Sequence, residues 1–200
     1  MEWYSHYGSA EMNSFKYQYL KLKLEDEVFN NILSITDEYV DYEICKTEFY
    51  DEDGQYRSRD NSNRNSKACF IDDPRLYKLV DDVARFANEK CEWNLDIDFI
   101  EPLQHTLYDV GGFYGWHIDE SNWLPGKRAN NKIRKISFSL LLNDDFTGGD
   151  FEILTNETNT ITLSKGEMIF LLGDSYHQVK PVETGVRRSL VGWIQGPAYK

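Results

Sequence analysis

Two histidines and an aspartate stand in this chain at a spacing that suits a metal site. His117 and Asp119 form a His-x-Asp pair, and His177 follows much later in the sequence. Two histidines and one carboxylate on one face of a metal are typical of non-haem Fe(II) sites, which keep open positions for a co-substrate and O2. Zinc and manganese also accept these ligand types. The pattern therefore predicts a metal site formed by His117, Asp119 and His177.

Two strands would bring these three ligands together. Side chains alternate between the two faces of a strand, so a strand over residues 113–119 would direct His117 and Asp119 one way and Ile118 into the opposite layer. A distant strand would supply the third ligand. The other two histidines, His6 and His105, have no such context. We interpret them as structural or surface residues.

A second candidate group follows the last ligand. Arg187 lies ten residues after His177, and in a strand it shares one face with Ser189, Val191 and Trp193. An arginine and a hydroxyl on an interior face form a carboxylate clamp. The apolar neighbours on that face predict burial, and a buried arginine requires an anion. We predict that Arg187 and Ser189 bind the distal carboxylate of 2-oxoglutarate, whose keto-acid end would chelate the iron.

Further residues near the first ligand pair could line the same pocket. Tyr108 is predicted to contact the co-substrate, whereas for Tyr114 a pocket role and core packing are equally compatible with the sequence. Arg188 alternates to the other face of its strand, which indicates a surface or packing role. The glycines at 148–149 are predicted to form a tight turn rather than to take part in chemistry.

Composition narrows the class of protein. The chain has 200 residues, 40% of them hydrophobic, which indicates one globular domain. Its net charge of −12 disfavours nucleic-acid binding. That charge is compatible with a basic peptide substrate, although a solvated acidic surface is the simpler interpretation. Cys45, Cys69 and Cys91 lack CxxC spacing and suggest free thiols in a reducing compartment. Without a signal peptide or a long apolar run, we expect a cytoplasmic protein that does not contact membranes.

Hydrophobic periodicity predicts the elements that position these residues. Apolar residues at helical spacing indicate helices over 26–40 and, after a capping Asp73, over 74–90. The polar segment 51–67 is predicted to be a long exposed loop, and 120–132 a lid at the site. From residue 97 onward, short runs separated by glycine turns are typical of a sandwich or jelly roll. They cover residues 97–100, 103–110, 113–119, 133–143, 151–155, 160–164, 168–173, 177–182 and 186–195.

These motifs together resemble a known family. The stretch 108–195 resembles the Fe(II)/2-oxoglutarate-dependent dioxygenases, and within them the prolyl-4-hydroxylases and the bacterial PKHD-type hydroxylases. Residues 1–100 match only loosely, as helices that pack on such a barrel. The matching pieces are Tyr108-x-x-Gly111, 114–119 (YGWHID), 134–143 (RKISFSLLLN), 148–151 (GGDF), 165–167 (KGE), 177–182 (HQVKPV), 185–190 (GVRRSL) and Trp193.

The resemblance implies a fold and a domain organisation. The fold would be mainly β with N-terminal helices, built on a double-stranded β-helix (jelly roll) core with the helices packed on one face. Residues 1–200 would form a single dioxygenase domain. About 1–100 would be a helical support region with a substrate loop, and about 101–196 the catalytic core.

The resemblance also implies cofactors and chemistry. His117, Asp119 and His177 would bind Fe(II), and Arg187, Ser189 and Tyr108 would bind 2-oxoglutarate. O2 is the other co-substrate, and ascorbate is an additional candidate. The reaction would hydroxylate an unactivated C–H bond and release succinate and CO2. Related halogenases lack the carboxylate ligand, so the aspartate favours hydroxylation.

Two departures from the family pattern affect the substrate prediction. Leu141 stands where prolyl hydroxylases often carry a tyrosine, and Arg187 stands where some relatives use lysine. Both departures weaken the inference that the substrate is proline. The leading substrate class that we expect from the resemblance is a protein or peptide side chain. A small-molecule or nucleobase oxygenase and a non-catalytic jelly-roll binding module are the alternatives.

The two polar segments are where substrate choice would lie. A nucleobase enzyme needs a basic groove, which the segment 51–67 could provide only through Arg57, Arg59, Arg64 and Lys67. Charged side chains of this kind more often lie on a solvated loop. In the segment 120–132, Trp123 and Arg128 are candidate substrate contacts, and plain solvent exposure is an equal interpretation. Nothing in the sequence specifies an oligomeric state.

Overall fold

Antiparallel strands dominate the computed structural model, which describes residues 5–8, 18–45, 47–50, 56–59, 63–120 and 132–198. Two helices accompany them within these ranges. The elements in chain order are β1 (Ser5–Gly8), β2 (Tyr19–Lys23), α1 (Asp26–Thr36), β3 (Glu43–Ile44), β4 (Thr47–Tyr50), β5 (Tyr56–Arg59), β6 (Arg64–Asn65), β7 (Lys67–Ile71), α2 (Pro74–Lys90), β8 (Phe99–Ile100), β9 (Leu103–Tyr108), β10 (Phe113–His117), β11 (Lys132–Leu141), β12 (Phe146–Gly148), β13 (Phe151–Leu154), β14 (Thr158–Ile161), β15 (Glu167–Leu172), β16 (His177–Val179), β17 (Val182–Gly185) and β18 (Arg187–Pro197).

Two sheets face each other and form the framework of the site. The larger sheet has the strand order β1-β2-β15-β11-β18-β9-β7-β3, with β8 paired to β18. The smaller sheet has the order β14-β13-β16-β10-β6. Two further two-stranded sheets, β12 with β17 and β4 with β5, complete the pattern. The mainly β prediction is confirmed by these sheets.

Strand β11 separates the hydrophobic core from the site. Its residues Ile136, Phe138 and Leu140 belong to the main core cluster, which also contains the buried residues of α1 and α2. Because side chains alternate along a strand, the intervening Ser137 and Ser139 face the opposite side, toward the smaller sheet. Buried residues of both helices therefore pack in the same cluster as one face of β11, and the other face of β11 lines the site.

The sequence predicted the start of α2 correctly and the end of α1 incorrectly. Helix α2 begins at Pro74 as predicted, and the Asp73 side chain caps it by accepting a hydrogen bond from the Arg75 backbone N–H at 2.8 Å. Helix α1 ends at Thr36, earlier than the predicted residue 40, because the chain turns after Asp37. Among the described residues, no helix is long and apolar enough to cross a membrane.

The first hundred residues contribute more strand than predicted. Strand β2 extends the larger sheet beside β15, and β7 extends it beside β9. The segment 51–67 was predicted to be an exposed loop, which is wrong for its described part. Strand β6 pairs with β10, and both Arg64 and Ser66 are buried. These short strands are stabilised by distant partners rather than by their own sequence pattern.

Several predicted strand ends also need correction. Strand β10 ends at His117, so Asp119 lies beyond the strand rather than within it. The predicted run 177–182 is divided between β16 and β17, which pair with different strands. At the start of the predicted lid, Glu120 is buried and accepts a hydrogen bond from the Arg134 backbone N–H at 2.7 Å. Trp123 and Arg128 lie outside the described residues.

His105 has a structural role, as expected from its lack of ligand context. It is fully buried in β9, opposite Cys69 of β7. The Tyr42 hydroxyl lies 3.0 Å from its Nδ1, and Arg188 Nη2 lies 3.3 Å from its Nε2. Burial, together with the nearby charge of Arg188, lowers the pKa of His105 to about 4. The side chain of His6, in β1, lies outside the described part.

We expect His105 to make folding stability depend on pH. An unfolded histidine takes up a proton below about pH 6.5, whereas the folded His105 stays neutral until about pH 4. Stability from this residue is therefore complete above that range and is lost as the pH falls through it, by up to roughly 3 kcal/mol. Urea unfolding of the wild type and of His105→Gln at about pH 7.5 and about pH 4.5 measures this effect. Equal losses in the two proteins would contradict the assignment.

Candidate metal and co-substrate site

The three predicted metal ligands meet at one end of the smaller sheet. His117 of β10 and His177 of β16 are direct cross-strand partners. Asp119 reaches them from just beyond β10, where its backbone N–H donates to the Gly173 carbonyl at 3.1 Å. The candidate ligand atoms of the three residues all lie within 4.8 Å of one another. The cluster is the one that the sequence predicted, although the aspartate is positioned by a turn and not by strand alternation.

Hydrogen bonds orient both imidazole rings toward the aspartate. Nδ1 of His117 lies 2.8 Å from the Gly115 carbonyl, and Nδ1 of His177 lies 2.9 Å from the Ser175 carbonyl. Donation from Nδ1–H leaves each Nε2 with a free lone pair. These Nε2 atoms lie 3.8 Å and 3.6 Å from the carboxylate oxygens of Asp119. Three donor atoms therefore converge on one point.

Ionisation and ring packing favour metal binding by this cluster. Burial, with repulsion from His177, lowers the pKa of His117 to about 3, so its imidazole is neutral near pH 7. Burial opposes ionisation of Asp119, but the combined electrostatic attraction of His177, His117 and Arg134 holds the pKa of that carboxyl below its usual value. Tyr114 stacks on His117 with ring centroids 3.5 Å apart, and Phe151 stacks on His177 at 5.4 Å. A neutral imidazole such as that of His117 and a carboxylate are the forms that bind a divalent metal.

The cluster opens into a cavity of about 330 Å³ between the two sheets. Ile118 also lines this cavity, which corrects the prediction that it points into the opposite layer. The volume lies at the small end for ligand pockets in proteins. The larger sheet contributes polar and aromatic side chains to the wall, namely Gln104, Tyr108, Arg134, Ser137, Ser139, Ser189 and Trp193.

Arg187 is the most deeply buried charged residue of the site. Its side chain is 1% exposed, and its Nε and Nη1 have no hydrogen-bond partner among the described residues. The buried Ser189 hydroxyl likewise has none there. Burial lowers the pKa of Arg187, yet a guanidinium stays charged at neutral pH. A buried cation with free donors beside a free hydroxyl fits a carboxylate ligand.

The surroundings of Arg187 are an aromatic ring on one side and a second cavity on the other. Arg187 is the cross-strand partner of Tyr108, and its guanidinium lies 5.6 Å from that ring. It lines an adjoining cavity of about 310 Å³, which shares Phe151 with the metal cavity. Leu141, the residue at the position of the family tyrosine, also lines this second cavity. Arg188 instead faces away and pairs with Asp37, as predicted for a packing residue.

Sequence reasoning missed two arginines that line the metal cavity. Arg64 was assigned to a solvated loop, but it is buried and its guanidinium lies 4.5 Å over the Tyr114 ring. Arg134 lies 3.9 Å over the Trp193 ring and pairs with Glu101. Residues 64–67 (RNSK) are all polar, so no hydrophobic alternation indicated a half-buried strand there. Nothing in the local sequence pattern could have predicted the burial of Arg64.

Comparison with known proteins first defines the class. Residues 103–195 match the sequence profile of the 2OG-Fe(II) oxygenase superfamily. Among curated relatives, a PKHD-type hydroxylase of Prochlorococcus marinus (strain NATL2A) is 42% identical over 99 residues. A PKHD-type hydroxylase of Hyphomonas neptunium is 38% identical over 88 residues. These alignments cover 48% and 42% of this chain and only 42% and 38% of the relatives, so the chain spans less than half the length of either relative.

Solved structures share the fold over most of the chain. The viral collagen prolyl hydroxylase of Paramecium bursaria Chlorella virus-1 superposes with a TM-score of 0.64 at 16% identity, covering 90% of this chain and 96% of that one. A Pseudomonas putida prolyl-4-hydroxylase superposes with a TM-score of 0.61 at 18% identity, covering 90% and 94%. At such identities the likeness shows the fold alone, which is the jelly roll of these oxygenases.

Profile, relatives and fold agree. Residues 103–195 match the 2OG-Fe(II) oxygenase superfamily, the curated relatives over this stretch are PKHD-type hydroxylases, and the fold is that of solved prolyl hydroxylases. The resemblance stated from the sequence motifs is confirmed. The matched family implies Fe(II), 2-oxoglutarate and O2, and the His117–Asp119–His177 cluster offers a donor set that fits the metal.

Proposed function

We propose that the protein is an Fe(II)- and 2-oxoglutarate-dependent dioxygenase that hydroxylates an unactivated C–H bond. One observation carries the proposal. The His117–Asp119–His177 cluster, in which His177 is buried and the other two are half-buried, lies in a cavity whose wall also holds the Ser189 hydroxyl, next to the buried Arg187. The first group suits Fe(II), and the second suits the carboxylate of a 2-oxo acid.

Each of these residues has a definite task in the proposed reaction. His117, Asp119 and His177 would hold Fe(II) through two Nε2 atoms and the carboxylate. Arg187 and Ser189 would bind the distal carboxylate of 2-oxoglutarate, and Tyr108 would pack against it. The bound iron supplies the activation of O2, while the protein binds, orients and excludes water. Overall, R–H, 2-oxoglutarate and O2 give R–OH, succinate and CO2, with one atom of O2 in the hydroxyl and one in succinate.

The proposed substrate is a protein or peptide side chain. Support comes from the fold neighbours, one of which is a Trichoplax adhaerens prolyl hydroxylase in complex with a peptide fragment of hypoxia inducible factor. A small molecule is the alternative within the enzymes. A non-catalytic binding module would gain nothing from a buried, unpartnered arginine beside three metal ligands, because such a charge destabilises the fold. We further propose that residues 1–200 act as one domain, with ascorbate as an optional reductant.

Binding and turnover without added substrate test this function. We expect protein purified without oxygen to bind about one Fe(II) and then about one 2-oxoglutarate per chain, which a visible charge-transfer absorption would report. Admitting O2 should then form succinate slowly, in proportion to the 2-oxoglutarate consumed. Zinc-loaded protein provides the control, because zinc has no redox chemistry. Failure to bind both Fe(II) and 2-oxoglutarate would overturn the oxygenase and favour the binding module.

A further inference from the structure

Arg64 occupies a fixed position on the wall of the metal cavity. It lies in β6, opposite Tyr114 of β10, and its side chain is 8% exposed. Its Nε donates to the Ser66 hydroxyl at 2.7 Å. Its guanidinium stacks over the Tyr114 ring, which in turn stacks on the ligand His117. The guanidinium is therefore held one aromatic layer away from a metal ligand.

One end of this guanidinium has no partner. Arg64 Nη2 is buried without a hydrogen bond to any described residue. The Ser66 hydroxyl that accepts from Nε is neutral. No carboxylate of the described residues pairs with Arg64, so the positive charge of its guanidinium is uncompensated there. Burying an unpaired cation costs several kcal/mol in general. A ligand that supplies a negatively charged acceptor would remove this cost.

None of the other unpartnered groups supplies an anion for Arg64. Within the described part of the chain, the buried side-chain atoms without partners belong to Arg64, Ser137, Arg187, Ser189 and Trp193. The proposed co-substrate would satisfy Arg187 and Ser189. Arg134, the other arginine of the cavity, is already neutralised by two hydrogen bonds to Glu101 of 2.7 Å and 2.6 Å. Among the described positively charged side chains that line this cavity, Arg64 is therefore the one that still lacks an anionic partner.

The local charge is opposite in sign to that of the whole chain. The chain carries a net charge of −12, whereas the cavity wall presents an uncompensated Arg64; in the loaded site, 2-oxoglutarate and Asp119 would balance the charges of the divalent metal and Arg187. Potentials inside a cleft depend on the groups that line it and not on the net charge of the protein. A cationic substrate group would therefore be repelled from this cavity.

We propose that the substrate carries a carboxylate that pairs with Arg64, close to the carbon that is hydroxylated. This inference rests on the proposed function and names the substrate class of the same site. The carboxylate could be an acidic side chain, a peptide C-terminus or that of a free amino acid. All three share the chemistry that a guanidinium recognises through charge-assisted hydrogen bonds.

Matched acid and amide probes test the proposal on the protein loaded with Fe(II) and 2-oxoglutarate. The probes are the free L-amino acids and their amides, and N-acetylated dipeptides with Asp or Glu compared with Asn or Gln. Without O2, binding is read from the change in the visible absorption of the loaded protein. With O2, stimulation of succinate formation is the second readout. We expect at least one acid to bind at least about 10-fold more tightly than its amide.

Variants separate recognition from structure. Arg64→Met should abolish the discrimination between acid and amide while leaving 2-oxoglutarate binding intact, and Arg64→Lys should retain part of it. Because Arg64→Met removes an unpaired buried charge, its melting temperature should be no lower than that of Arg85→Met. Arg85 is a surface arginine paired with Asp81 and serves as the control.

Each result has a defined meaning. Equal responses to amides, no response to any carboxylate, or discrimination that survives Arg64→Met would overturn the proposal. The source of the carboxylate follows from which probe responds, whether free amino acid, C-terminal acid or acidic side chain. If the wild-type protein does not bind 2-oxoglutarate, that result instead overturns the proposed function itself.

Discussion

His177→Ala is expected to lose Fe(II) binding and, with it, succinate formation, by at least about 100-fold. Partners that only orient a metal ligand already contribute about 10–100-fold to metal affinity, and His177 supplies a donor atom directly. Its Nε2 lies 3.6 Å from the Asp119 carboxylate, and its Nδ1 is already used by the Ser175 carbonyl. Removal leaves only two donors. Fe(II) titration without oxygen, followed by a succinate assay, measures both losses.

The neighbouring residue offers a matched control for this variant. Gln178 follows His177 in β16 but faces the other side of the smaller sheet, where it donates to Glu152 at 2.6 Å. Gln178→Ala should therefore bind Fe(II) and form succinate as the wild type does. Unchanged Fe(II) affinity in His177→Ala would show that the metal, if bound, lies elsewhere.

Arg187→Met is expected to weaken 2-oxoglutarate binding by about 100-fold or more while leaving the ligand-free protein at least as stable. Truncating one partner of a buried charge pair generally costs about 2–5 kcal/mol of affinity. Without the co-substrate, however, the Nε and Nη1 of Arg187 are buried and unpartnered, so an apolar side chain of similar volume removes a cost. Titration with 2-oxoglutarate and thermal unfolding with and without it measure the two effects.

The opposite directions of affinity and stability make this prediction specific. If Arg187 had only a structural role, its replacement would lower both the affinity for 2-oxoglutarate and the stability, because other buried groups would be left unpaired. Arg188→Met is the control, since Arg188 follows in the same strand and pairs with Asp37 near the surface. It should bind 2-oxoglutarate normally. Unchanged affinity in Arg187→Met would remove Arg187 from the co-substrate site.

Features carried by local patterns could be predicted from the sequence alone. The capping Asp73 and the following proline located the start of α2, because a helix start depends on neighbouring residues. The identity of the metal cluster also followed from residue types and spacing. His117 and His177 belong to strands whose apolar and turn signals are local, so their assignment to strands was correct.

The arrangement within the site depended on long-range pairing. Asp119 lies beyond its strand because Gly173, far along the chain, accepts its backbone N–H. No local pattern contains that information. The short strands of the first hundred residues likewise exist only because β9, β10 and β15 provide hydrogen-bond partners for them. Pairing between distant segments is decided by the whole fold.

Residue types and spacing alone thus predicted the His117–Asp119–His177 cluster, a buried Arg187 and a mainly β fold, and the structure contains all three. Only the tertiary structure decided which polar residues are buried around that cluster. Arg64 shows the difference, since its neighbours in sequence are polar and indicate a solvated loop, while its neighbours in space are Tyr114 and the metal cavity. Burial is a property of the packed sheets, and it turns an ordinary surface residue type into a charge that requires a ligand.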